Sequence, residues 1–309
     1  MKIVKYILIF SLLMLLFLLV HWYNPEGDNL QKIREKYNTA EDRYVNINGV
    51  NAHYIISGQG ETLIIIHGNQ GYAKEYDGFR EALDKNFRVI AIDLMGHGFS
   101  ENAIDDDYSL SSFNCYIETL IDSLHINKAH IMGHSLGGYL ALQYTKNHPD
   151  RIDKLILLNS FGGICASKDY IIKKKLEEYP EVETFSKYFL PKEIILKGLE
   201  SIMVSPPKDA ELIFDILSVR KRRVYGKYVG KTFANFDRNT DFSELSQKKL
   251  IITSDLDNIH TPCEAENLAQ RLSNDTLVII KGAKHASIRD KLEEIIQLVE
   301  KFLRLPILD

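Results

Sequence analysis

The sequence predicts an α/β protein: a mainly parallel eight-stranded sheet with helices on both faces, a helical lid insertion and an N-terminal membrane helix. Three observations carry this expectation. Short continuous apolar runs recur along the chain, Leu-Ile-Ile-Ile from Leu63, Leu-Ile-Leu-Leu from Leu155 and Leu-Ile-Ile from Leu250, as expected of strands buried on both faces. Amphipathic stretches alternate with them, giving the strand–helix–strand order of a parallel sheet. Nearly all the unusual composition lies in the first 23 residues.

Ile7 to Val20 is apolar except for Ser11, with Lys2 and Lys5 ahead of it and Trp22 and Tyr23 behind. That run alone has the length of a signal-peptide core. Phe17 to Tyr23 contains no small residue to serve as a cleavage site, and with Lys5 snorkelling, residues 3–23 reach about the 20 helical residues of a bilayer span. The segment is therefore read as an uncleaved anchor, with a cleaved signal and a helix docked on its own core as alternatives. The amino terminus is placed inside and the bulk of the chain outside the cytoplasm, or secreted if the segment is cleaved. Asn24-Pro25-Glu26-Gly27 is a turn-rich break. Asp28 is the expected cap of a short spacer helix with Leu30, Ile33 and Tyr37 on one face.

From residue 43 the predicted strands are Tyr44–Ile47, His53–Ser57, Thr62–His67, Phe87–Asp93, Lys128–Met132, Lys154–Asn159, Lys249–Ser254 and Thr276–Lys281. Asn48-Gly49 between the first two is a hairpin signal. Helices are expected over Tyr76–Lys85, Leu110–Leu124, Leu136–Asn147, Cys263–Leu272 and Ser287–Leu303. The alternation breaks between Asn159 and Lys249, where helical, partly apolar sequence forms an insertion over residues 162–240. It carries Phe185, Tyr188, Phe189, Leu190, Ile194, Ile195, Leu199, Ile202 and Met203 as pocket-lining or lid-packing residues. Lys173-Lys174-Lys175 and Arg220-Lys221-Arg222-Arg223 are cationic runs, facing either lipid headgroups or solvent.

The 309 residues suffice for one domain of residues 43–309 after a spacer of residues 24–42. Lys plus Arg (38) against Asp plus Glu (42) gives −4, which argues against a nucleic-acid partner. Cys115, Cys165 and Cys263 form no CxxC and read as isolated thiols. No metal or cofactor is expected, because no H-E-x-x-H or comparable ligand cluster occurs.

Chemistry concentrates at Gly133-His134-Ser135-Leu136-Gly137-Gly138, between a strand and a helical stretch. A serine in G-x-S-x-G at such a junction sits on a tight bend that exposes its hydroxyl, and the glycines let strand and helix pass closely. A serine hydroxyl needs a base, itself oriented by a carboxylate. After Ser135 only His148, His260 and His285 remain. His148 lies at the far end of the following helix and His260 on the acid's own loop, so His285 is the expected base. Asp255 and Asp257, after the strand ending at Ser254, are the candidate acids.

With His67-Gly68-Asn69 and the run from Asp93 to Ser100 added in order, these stations resemble the α/β-hydrolase fold superfamily, in particular its capped esterase, lipase and C–C hydrolase branch. The resemblance covers about Arg43 to Leu303. It implies a catalytic triad of Ser135, Asp257 and His285, with Asp257 aligning to the family acid in preference to Asp255. It implies an oxyanion hole from the backbone N–H groups of Asn69 (Gln70 the alternative) and Leu136, and structural roles for His67, Asp93 and Ser100. Three positions depart from the family pattern: Ser254 stands for its usual glycine, Asn258 where proline is common, and Lys284 where glycine usually precedes the histidine. A serine nucleophile argues against dehalogenases and epoxide hydrolases, whose relatives use aspartate. The implied activity is hydrolysis of a carboxylic ester, an acyl or lipid-like small molecule. C–C hydrolase, aminopeptidase, acyltransferase and non-catalytic binding readings are the alternatives.

Overall fold

Eight strands form one sheet in the order β1-β2-β4-β3-β5-β6-β7-β8. They are β1 Asp42–Ile47, β2 Val50–Ser57, β3 Glu61–Ile66, β4 Phe87–Ile92, β5 Ala129–His134, β6 Ile152–Leu158, β7 Lys248–Ser254 and β8 Thr276–Ile280. The computed structural model describes residues 2–22, 29–165, 192–219, 240–273 and 276–305. The sheet is mixed: β2 pairs antiparallel with both β1 and β4, and the pairings from β4 through β8 are parallel. The predicted hairpin forms, with Asn48 and Gly49 both at positive φ, the two-residue turn whose twist matches the flanking strands.

The helices are α1 Lys2–Trp22, α2 Leu30–Tyr37, α3 Asp77–Leu83, α4 Leu110–Ser123, α5 Leu136–Asn147, α6 Lys192–Ile202, α7 Ala210–Ser218, α8 Pro262–Arg271, α9 Ser287–Asp290 and α10 Leu292–Leu303. The continuous apolar run of β3 is explained by two cores. Ile64 and Ile66 face Phe113, Ile117 and Leu140 on one side. Leu63 and Ile65 face Phe79, Leu83 and Val299 on the other. Each such buried side chain contributes roughly 1.5–3 kcal/mol.

Four expectations are corrected. The cap of α2 is Asn29, whose side chain accepts the Lys32 N–H. The predicted helix Ser287–Leu303 is split at Lys291, at φ −140°, where Asp290 turns its carboxylate to the N–H groups of Lys284 and Val204. Cys165 and Cys263 are not isolated but form a disulfide, brought to a Cα separation of 6.0 Å by the segment after β6 and the start of α8. Lastly, α1 forms over the predicted anchor, yet among the described residues no helix is long and apolar enough to cross a membrane.

The insertion is described over residues 192–219. Phe185, Tyr188, Phe189, Leu190, the Ile194 side chain and both cationic runs lie outside the described residues. Ile195, Leu212, Ile213 and Ile216 pack with Ile33 of α2 and with Tyr72 and Phe99 of the core.

A buried charge cluster steadies the loops after β3 and β4. His53 bonds Asp93 Oδ2 through Nδ1 at 2.6 Å and Asp42 Oδ1 through Nε2 at 2.7 Å. Asp93 also accepts the N–H groups of Ala73 and Phe99. Gly98 is required here, because at φ +47° a Cβ would lie 2.0 Å from the Asp93 carboxylate. Burial pushes His53 toward its neutral form, but Asp93 and Asp42 outweigh it and raise its pKa. Its contribution to stability is thus complete below the unfolded value of about 6.5 and is lost as pH rises through the folded one. His53→Ala is expected to cost about 3 kcal/mol near pH 6 and less at alkaline pH. Urea unfolding from pH 5 to 9 checks this; a cost that grows with pH would contradict it.

Candidate active site

Ser135 stands between β5 and α5 at φ 53°, ψ −115°, a conformation most side chains avoid. The turn is tight enough to exclude any Cβ at its glycines. One at Gly133 would meet Gly137 O at 2.2 Å, and one at Gly137 would meet Ile66 O at 2.2 Å. The N–H of Ser135 is held by Leu158 O of the neighbouring strand at 3.0 Å. Leu136 opens α5, so its N–H belongs to the first turn, whose donors have no partner within a helix.

The loop after β3 meets this elbow. A Cβ on Gly68 would lie 3.1 Å from Ser135 Cβ, so the turn carrying Asn69 packs directly on the serine. Gly71 N–H to Gly68 O closes that turn at 3.0 Å, with Gln70 at φ 61°. His67 sets its entry: Nδ1–H donates to Gly68 O at 2.7 Å and Nε2 accepts the Leu94 N–H.

Asp257 and His285 come from the loops after β7 and β8. His285 Nδ1–H donates to Asp257 Oδ2 at 2.9 Å, which leaves Nε2 of the neutral ring as the lone-pair nitrogen. Asp257 Oδ1 accepts the N–H groups of Ile259 and His260, and Asn159 Nδ2 donates to Oδ2 at 2.8 Å. Burial pushes the Asp257 carboxyl up, but His285 and these donors bring it down to about 2. Asp255 does other work: its Oδ1 accepts the Gly282 N–H at 2.8 Å.

Sequence reasoning missed three neighbours. Asn159, at φ 42°, both donates to Asp257 and accepts from Ser287 Oγ. His134 donates from Nε2 to the His285 carbonyl at 3.0 Å, its rings 5.0 Å from His285. Burial and the nearby His285 lower its pKa to about 4, so it acts as a neutral donor joining the serine elbow to the histidine loop. His260 packs edge-on to His285 at 5.2 Å and bonds Glu264 at 3.1 Å. Only its place on the acid's loop hinted at this. A further cluster joins the insertion to the loop after β3: Arg289 bonds Glu75, Tyr72 and Asp209 at 2.7–2.8 Å.

A family model described as the alpha/beta hydrolase fold matches residues 61–189. The structure superposes with a TM-score of 0.75 on a bacterial membrane phospholipase A, at 19% identity, covering 97% of this chain and 98% of that one. The chain has the α/β-hydrolase fold. Among relatives of this hydrolase-fold chain, an uncharacterized protein of Mycobacterium tuberculosis is 34% identical over 134 residues, 43% of this chain and 38% of that one. A 2-hydroxymuconate semialdehyde hydrolase from a Pseudomonas species is 33% identical over 117 residues, 37% of this chain and 41% of that one. The matches thus span about two fifths of the length of these curated relatives.

Proposed function

We propose that the protein is a serine hydrolase that cleaves a carboxylic ester of an acyl or lipid-like small molecule through an acyl-enzyme. The observation that carries this is the bond from His285 Nδ1 to Asp257 Oδ2, on loops joined through His134 to the elbow that carries Ser135. Ser135 Oγ attacks the acyl carbon while His285 Nε2 takes its proton, and Asp257 holds the tautomer and stabilises the imidazolium. The oxyanion is received by the N–H groups of Asn69 and Leu136, each worth roughly 3 kcal/mol. His285 then protonates the leaving alcohol, and water, deprotonated by the same nitrogen, releases the acid.

Incubating the full chain with a fluorophosphonate probe tests the reading. Labelling at Ser135, together with turnover in an ester series of increasing acyl length, supports it; no labelling overturns it. Turnover of vinylogous diketones with none of the esters would move the protein to C–C hydrolysis, the activity named for the Pseudomonas relative.

The membrane reading belongs to this proposal too. The described side chains of α1 from Tyr6 to Phe17 are exposed, and Leu, Ile and Phe dominate them, which supports attachment to a lipid surface. The disulfide supports an oxidising compartment for the catalytic domain. The full chain is expected to co-float with lipid vesicles, and its absence from the floated fraction would contradict the attachment.

A further inference from the structure

Residues on both sides of His285 are bonded to the end of one helix of the insertion. The last carbonyls of a helix lack partners within it and carry its partial negative charge. At the end of α6, Glu200 O accepts from Lys284 Nζ at 2.7 Å, and Ile202 O accepts the Ala286 N–H at 2.7 Å. Asp290 closes the other side, Oδ2 accepting the Lys284 N–H at 2.9 Å and Oδ1 the Val204 N–H at 2.8 Å. Beneath, the acid loop is stitched to the same segment by Leu256 N–H to Ala283 O at 3.1 Å. His285 therefore lies in a loop gripped from the sheet through Asp257 and His134 and from the insertion through α6. Glycine, the residue usual at position 284 in the resembling family, has no ammonium to bring to a helix end.

We propose that Lys284 is a positioning residue: by clamping the His285 loop to the last turn of α6, with Asp290 as the second jaw, it fixes where His285 Nε2 sits relative to Ser135. The inference rests on the Ser-His-Asp reading above. It makes α6 a fixed support of the base, not a flap free of it. The ammonium is spent on a backbone carbonyl, so its role is geometric.

The test compares the wild-type full chain with Lys284→Met and Lys284→Arg, measuring kcat and KM on a short-acyl and a long-acyl ester alongside amide hydrogen exchange. Lys284 is only half-buried, and Arg289 keeps its separate hold on Asp209 at the start of α7, so Lys284→Met is expected to fold. Its kcat should fall about tenfold on both esters with KM within about twofold, and Lys284→Arg should recover most of the loss. Peptides carrying Ala286 and Val204 should exchange faster together in Lys284→Met. An unchanged kcat overturns the proposal. So does a KM that rises with acyl length at constant kcat, which would make Lys284 a support of the substrate pocket alone. If the wild type hydrolyses no ester, the enzymatic reading is what fails, and the exchange data still judge the clamp: unchanged protection at Ala286 and Val204 overturns it.

Discussion

Ser135→Ala is expected to lower kcat on the best ester by about 10⁶-fold, leaving the residual rate that the oxyanion donors and binding alone provide. The substitution removes one oxygen and little else. Alanine keeps a Cβ at φ 53°, so the strain of the elbow persists, and the contacts that exclude a Cβ from Gly133 and Gly137 are untouched. Stability should change by less than about 1 kcal/mol, which urea unfolding would verify. A folded variant that keeps even a hundredth of the wild-type rate would remove Ser135 from the nucleophile's place.

For Asp257→Asn, a fall in kcat of about 10⁴-fold at neutral pH is expected. An amide nitrogen facing His285 Nδ1 would favour the wrong tautomer, and it would also oppose Asn159 Nδ2, which now donates to the same oxygen. Asp257 has a folded pKa of about 2, below the unfolded value of about 3.9, so its stabilisation is present above that value and is lost as pH falls toward 2. Asp255→Asn, which disturbs the bond to Gly282 and the ion pair with Lys281, should stay within about threefold of wild type. Steady-state rates for the two variants separate the acids; equal losses would undo the assignment.

How far these features were legible depended on the distance over which each is encoded. The runs in β3, β6 and β7 could be read locally, because a strand between two cores is apolar at every position. The elbow was readable from its G-x-S-x-G pattern, although Gly137 answers to Ile66 O on a strand distant in the chain. Asp255 and Asp257 differ by only two positions on one loop, and residue types alone left both open; the family resemblance pointed to Asp257, which the structure bonds to His285. The pairing of Cys165 with Cys263 was invisible because their sequence separation is 98 and only the packing of α8 against the segment after β6 brings them together. The break at Lys291 was hidden for a related reason: the carboxylate of Asp290 answers to Val204, far away in the chain. Asn159 looked like the mere absence of an acid, and its support of Asp257 required knowing which strands are neighbours.

Because the insertion interrupts the sheet between β6 and β7, Lys154 must find Lys248 across the whole of it. Closing a loop of roughly 90 residues carries an entropic cost before any register bond repays it. Ser135 and the turn at Gly68 are assembled from β3, β5 and β6 on the near side of that gap, whereas Asp257 and His285 arrive only from beyond it. The elbow can therefore form before the loops carrying Asp257 and His285 have docked, and the proposed triad is complete only once those last strands are in place. The Cys165–Cys263 bond brackets nearly the same stretch, and a covalent link of that span narrows the unfolded ensemble by about 4–5 kcal/mol. Once oxidised, the chain keeps the two halves of its chemistry within reach of each other even when the sheet comes apart.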